Sequence, residues 1–250
     1  MNFLLRCTAL LLLLAIARPG HAATPPLRAQ PPVEIPETRG GFGVLAVDDQ
    51  KRRLLLAHTG NGTLDVIDLN TAQVVKKIPA VAATGLVVDA ARNRYYVSTG
   101  REKKMLIVDR EKLEVIGEVP LPGDGAAMTL GPSGVNRVFV TPAEGAELWV
   151  IDPVAKTIAS TLALPAGPGA IVADDGASRV YVGVTSDDSV QSISAADNNS
   201  TIGGSWATAP AKKPQALALD PRGERRLFVA GVNGRLVTLS AGDEIGRAHV

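Results

Sequence analysis

The sequence predicts an all-β fold made of repeated four-stranded antiparallel units, and three observations predict it. A unit of about forty residues recurs five times. Its first anchor is the end of an apolar run, at Val44–Asp48, Leu86–Asp89, Met128–Gly131, Ile171–Asp174 and Ala216–Asp220, with run ends 41, 42, 43 and 46 residues apart. A second anchor keeps step at Val66–Asp68, Leu106–Asp109, Trp149–Asp152, Gln191–Ser194 and Val237–Ser240, spaced 41, 43, 42 and 46. Between the two lies a third element: Leu55-Leu56, Tyr96-Val97, Phe139-Val140, Tyr181-Val182 and Phe228-Val229.

Each unit supplies four strand candidates. The runs are short, β-branched or aromatic, and bounded by Gly, Pro, Asn, Asp and Ser. In the second unit they are Leu86–Val88, Arg94–Ser98, Met105–Val108 and Leu113–Val119. The links Asp89–Asn93, Thr99–Lys104 and Asp109–Lys112 are hairpin-sized. Hairpins join antiparallel neighbours, since a parallel pair needs a long crossover. No stretch after the first residues sustains a helical period. Four antiparallel strands per repeat make the blade of a β-propeller, with five blades present. The first strand, nearly all apolar, is expected to be buried on both faces near the axis. The fourth is mixed, as in Gln73–Ile78, and suits an outer edge whose charges blunt aggregation.

Tyr95-Tyr96-Val97-Ser98, Tyr181-Val182-Gly183, Phe228-Val229-Ala230 and the Ile/Val-Asp ends at Asp68, Asp109 and Asp152 resemble the YVTN repeat of the YncE-like β-propeller family. The resemblance covers roughly residues 33–243. The family's Asn after the Tyr-Val pair is missing in all five units, where His58, Thr99, Pro142, Val184 and Gly231 stand. The resemblance implies seven blades in the complete protein, and it allows a nucleic-acid-binding role.

The two ends read differently from the repeat. Residues 1–22 predict a secretory signal: Arg6, the apolar core Ala9–Ala17, and the small residues of Gly20-His21-Ala22 at the cleavage position. That core is too short for a membrane span. Residues 23–36 form a Pro-rich, extended lead-in. Its end, Val33–Pro36, looks like a fourth strand and would pair with the last blade of a closed ring. The blades occupy residues 37–243. Residues 244–250 break the pattern and resemble the in-frame translation of a sequencing-library adapter, so they are expected to be a non-native tail on a truncated chain.

Composition narrows the chemistry. Cys7 is the only cysteine and leaves with the signal, so no disulfide or thiol chemistry is expected. Signal removal takes Arg6 and Arg18 and leaves 24 basic against 25 acidic residues, which disfavours general attraction to nucleic acid. Basic residues gather in the hairpins between first and second strands: Lys51-Arg52-Arg53, Arg92 with Arg94, and Arg222 with Arg225-Arg226. A solvated rim offset by nearby Asp residues explains them better than an anion-binding face. His58 is the only histidine inside the repeats, so no histidine-rich metal site and no catalytic constellation is expected. No cofactor motif is present.

Loops converging on the axis are where ligands would bind, which singles out His58, Arg101, Asp124 and Lys212 on the face of the second-to-third-strand loops and blade links. Three function classes follow. The leading one is a periplasmic or secreted scaffold that binds a protein or small molecule. The second is a propeller enzyme such as a lactonase, and the third a single-stranded nucleic-acid binder.

Overall fold

The computed structural model describes residues 32–80, 82–196, 199–241 and 248–249. The expected signal at residues 1–22 and the lead-in as far as residue 31 lie outside the described residues, as do residues 244–247 and 250 of the expected tail. Five four-stranded antiparallel sheets account for the repeat. Blade 1 is β1 (Leu45–Asp48), β2 (Arg53–His58), β3 (Thr63–Asp68) and β4 (Gln73–Pro79). Blade 2 is β5 (Ala83–Asp89), β6 (Arg94–Thr99), β7 (Lys104–Asp109) and β8 (Glu114–Pro120). Blade 3 is β9 (Gly125–Leu130), β10 (Val138–Pro142), β11 (Glu147–Asp152) and β12 (Thr157–Ala163). Blade 4 is β13 (Pro168–Asp174), β14 (Arg179–Val184), β15 (Ser189–Ser194) and β16 (Thr201–Ala207), with a single 3-10 turn at Asp175–Ala177. Blade 5 is β17 (Pro214–Asp220), β18 (Arg226–Gly231), β19 (Leu236–Ser240) and the two-residue β20 (Ala248–His249). All five sheets belong to one compact unit, Glu34–Val250.

The strand period of two decides how blades stack. Along the second strand, alternate side chains point to opposite faces. Tyr95 and Val97 pack with Leu55, Leu64 and Val66 of blade 1. Tyr96, between them, packs with Val138, Val140 and Trp149 of blade 3. The same alternation recurs with Phe139 against blade 4 and Tyr181 against blade 5. Four interfaces therefore join five blades, and each buried aliphatic or aromatic side chain contributes about 1.5–3 kcal/mol of burial. The first strands β1, β5, β9, β13 and β17 follow one another side by side, while β17 and β1 share no comparable packing.

The first strand departs from expectation. It is not buried on both faces: β9 and β13 are largely half-buried, and Leu45 and Val47 of β1 are 63% and 54% exposed. In blades 2 and 3 the most deeply buried strands are the second and third, which lie sandwiched between neighbouring sheets. The innermost strands instead turn residues such as Val47, Val87 and Ala173 to the central opening. Val33–Pro36 is likewise not in a strand. A strand needs an edge to pair with, and no edge of blade 5 reaches blade 1. The chain instead turns at Pro36-Glu37, and the Pro36 carbonyl accepts a hydrogen bond from Lys77 Nζ at 2.9 Å. Asn61 then fixes the approach, donating to the Glu37 carbonyl and accepting from the Arg39 N–H, each at 2.9 Å.

The repeated aspartates are turn caps. Asp68, Asp109 and Asp152 each accept two backbone N–H bonds, two and three residues on, at 2.8–2.9 Å. The hairpin then closes on a left-handed residue, Ala72, Leu113 or Lys156. This is the Asx-turn that a short carboxylate makes with its own backbone. A register shift recurs where the third strand meets the fourth, so that Val75 and Ile116 are each the extra residue of a bulge. Both are pushed outward, at 49% and 40% exposure.

Candidate functional site

The concave centre of the arc, on the face of the first-to-second-strand hairpins, holds a cavity of about 800 Å3. Four successive blades line it: Ala46 and Val47 of β1, Leu86–Arg92 of β5 and its hairpin, Thr129–Val135 from the end of β9 and its hairpin, and Ala173 with Asp175 from blade 4. Its wall is apolar because the first strands are apolar on both faces and one face has no neighbour. Its polar groups sit at the hairpins. Asp89 is buried and holds Arg92 through the Arg92 N–H at 3.0 Å and Nη1 at 3.1 Å. Asp175 accepts the Ser133 N–H at 2.8 Å, tying blade 4 to blade 3. A site of this kind offers apolar contact area with one guanidinium, Arg92, and two carboxylates, Asp89 and Asp175, at its edge. It presents no paired nucleophile and base.

The basic hairpins are neutralised locally. Arg52 pairs with Asp49, Arg94 with Asp109, Arg226 with Asp220, and Lys51 with Glu111. Two arginines reach further. Arg110 Nε and Nη2 clasp both oxygens of Asp48 across the interface of blades 1 and 2, each at 2.6 Å. Tyr95 Oη donates to the same carboxylate at 2.7 Å. Arg225 of blade 5 reaches Asp174 of blade 4 at 2.5 Å. Burial pushes the Asp48 carboxyl up, but hydrogen bonds from Arg110, Tyr95 and the Lys51 N–H, with the Arg110 charge, outweigh it and bring its pKa down to about 2. Burial, reinforced by that carboxylate, pushes Tyr95 up to about 12.

The four residues singled out from the sequence are not brought together, and none lines the axial cavity. Arg101 and Lys212 are exposed on their loops, and the Lys212 N–H is held by Asn233 Oδ1 at 3.0 Å. Asp124 lines a cavity of about 320 Å3 with Lys103, Gly123, Ala143 and Glu144, which the other three do not line. His58 is fully buried, with Nδ1 2.9 Å from Asp65 Oδ2 and Thr63 Oγ1 donating to Asp65 Oδ1 at 2.7 Å. Its Nε2 has no hydrogen-bond partner. His58 and Asp65 lie on the face of blade 1 turned away from blade 2, because β2 and β3 alternate around Ala57 and Leu64, which face blade 2. Asp65→Ala is expected to destabilise the protein by about 2 kcal/mol, since it strips a buried imidazole of its hydrogen-bond partner. Denaturant unfolding of Asp65→Ala beside the Asp65→Ala/His58→Ala pair checks it. The double variant should recover part of the loss. Nothing in the sequence marks this pair, since an Asp seven residues after a His is an ordinary spacing until two strands pair in register.

Among the described residues, no group of three or more His, Cys, Asp or Glu is placed to hold a metal ion. No helix among them is long and apolar enough to cross a membrane.

No protein-family model matches the chain, and no curated protein matches it. Solved structures do. The β-propeller domain of Cps50 (Swd1) from Myceliophteria thermophila is similar with a TM-score of 0.65 and 18% identity, over 83% of this chain and 70% of that one. A functionally unknown protein from Desulfotomaculum acetoxidans is similar with a TM-score of 0.68 and 14% identity, over 83% and 68%. The fold is a β-propeller. At these identities the likeness is one of architecture, and a single propeller architecture hosts many unrelated roles.

Proposed function

We propose that the chain is an exported, YncE-like propeller that works as a binding scaffold and holds a protein or small-molecule partner on its axial cavity. One observation carries this: an opening of about 800 Å3, walled mainly by apolar first-strand residues of four successive blades, with its charged groups at the hairpin rim. Ligand sites are concave and mostly apolar, with a few polar groups at defined places. Tyr96-Val97, Tyr181-Val182 and the capping aspartates support the YVTN-repeat reading, and residues 1–22 support export to the periplasm or medium.

Two measurements test it. Cell fractionation should recover a protein shortened at about Ala22 outside the cytoplasm; a full-length cytoplasmic product overturns export. Crosslinking capture from the same compartment should enrich a partner on the wild type and lose it on Val47→Glu, which places a charge on an exposed cavity-wall position without touching the blade interfaces. A partner retained by Val47→Glu overturns the cavity assignment. A wild type that enriches nothing overturns the scaffold itself.

A further inference from the structure

The interface of blades 2 and 3 lacks the clamp that closes its neighbour. In blade 2 the residue after the capping Asp109 is Arg110, whose side chain crosses to Asp48 and fills the space between blades 1 and 2. In blade 3 the residue after Asp152 is Pro153, which has nothing to reach Asp89 with. Asp89 is held instead by Arg92 of its own hairpin. A groove of about 480 Å3 remains between the two blades. Tyr96 and Ile107 form its floor, and Ile116 and Val154 stand on its walls. Ile116 is the bulge residue of β8, and Val154 is 73% exposed.

Three cations enter this groove and no carboxylate lines it. Arg92 and Arg94 each have one guanidinium edge on an aspartate behind the wall, Asp89 and Asp109. Lys156 lies across β8 against Gly117, where a Cβ would come within 2.7 Å of its Nζ, and its ammonium donates to the Ile116 carbonyl at 3.1 Å. Apolar side chains beneath cations on two walls are complementary to an extended chain that alternates carboxylates with apolar side chains.

We propose that this groove binds an acidic, extended peptide segment, with an apolar side chain seated between Ile116 and Val154 and carboxylates on Lys156 and the free edges of Arg92 and Arg94. The site is separate from the partner contact proposed for the axial cavity, although Arg92 borders both.

The test is fluorescence anisotropy on the full chain, with a labelled peptide alternating Glu and Leu, the same peptide with Lys for Glu, and a thymidine oligonucleotide. The Glu-Leu peptide should bind, weaken with salt, and lose about tenfold in affinity on Lys156→Glu and on Ile116→Asp. Arg222→Glu on the hairpin of blade 5, and Val47→Glu in the axial cavity, should leave it unchanged. No binding by the wild type overturns the proposal. So does equal affinity in Lys156→Glu, or preference for the Lys-Leu peptide or the oligonucleotide. Loss of partner capture in Val47→Glu with peptide binding intact separates the two sites.

Discussion

Asp48→Ala is expected to destabilise the protein by about 3–5 kcal/mol, because it leaves the buried Arg110 guanidinium and the Tyr95 hydroxyl facing an empty site. The carboxylate is 2% exposed and its two oxygens take three side-chain donors, all of which lose their acceptor. Arg110→Ala should cost a similar amount, and the double variant clearly less than the sum, since each single change strands the other charge. The effect also has a pH signature. The folded pKa of Asp48 is depressed to about 2 from 3.8, so its stabilisation is complete above the unfolded value and is lost as the pH falls from about 4 towards 2. That shift corresponds to roughly 2 kcal/mol. Denaturant unfolding at pH 6 and at pH 2.5 should show the loss in the wild type and a smaller one in Asp48→Asn. Parallel pH profiles for the two proteins would show that the clamp contributes nothing to acid sensitivity.

The strands most legible in the sequence were those whose environment repeats. The positions of Tyr96-Val97 and Leu106–Asp109 meet matching neighbours at each interface between blades, so their pattern recurs there and their burial follows. The capping aspartates were visible as strand ends, and the structure adds their reason, two backbone N–H bonds each. What the sequence did not reveal depends on contacts between units. Arg110 reads as one more charge after a turn until the stacking of blades brings it to Asp48, 62 residues away. The first strands read as doubly buried because an apolar run carries no record of whether its second face meets a sheet or an opening. Loop polarity points to Arg101, Asp124 and Lys212, while the axial cavity is walled mainly by alanine, valine and leucine on the opposite face.

The same repeat position should respond very differently in two blades. Phe139→Ala is expected to cost about 3–5 kcal/mol, and Phe228→Ala less than about 1 kcal/mol. Both residues open the aromatic-Val pair of their second strand and both point to the flank away from the preceding blade. Phe139 is fully buried among Leu148, Val150, Val180, Val182 and Ile193, so its removal leaves a cavity at the interface of blades 3 and 4. Phe228 has no such cluster on its side. It is half-buried, and its ring lies 5.6 Å from the Arg226 guanidinium. Because each blade packs only on its neighbours, the stability of the stack divides into blade terms and interface terms. Weakening one interior interface should therefore lower the cooperativity as well as the midpoint. Hydrogen exchange on Phe139→Ala should show blades 4 and 5 opening at lower free energy than blades 1 to 3, while Phe228→Ala leaves protection in β14 and β15 unchanged. Equal losses for the two variants would mean that something packs on Phe228 as blade 4 packs on Phe139, and the arc would then be covered on its blade 5 flank.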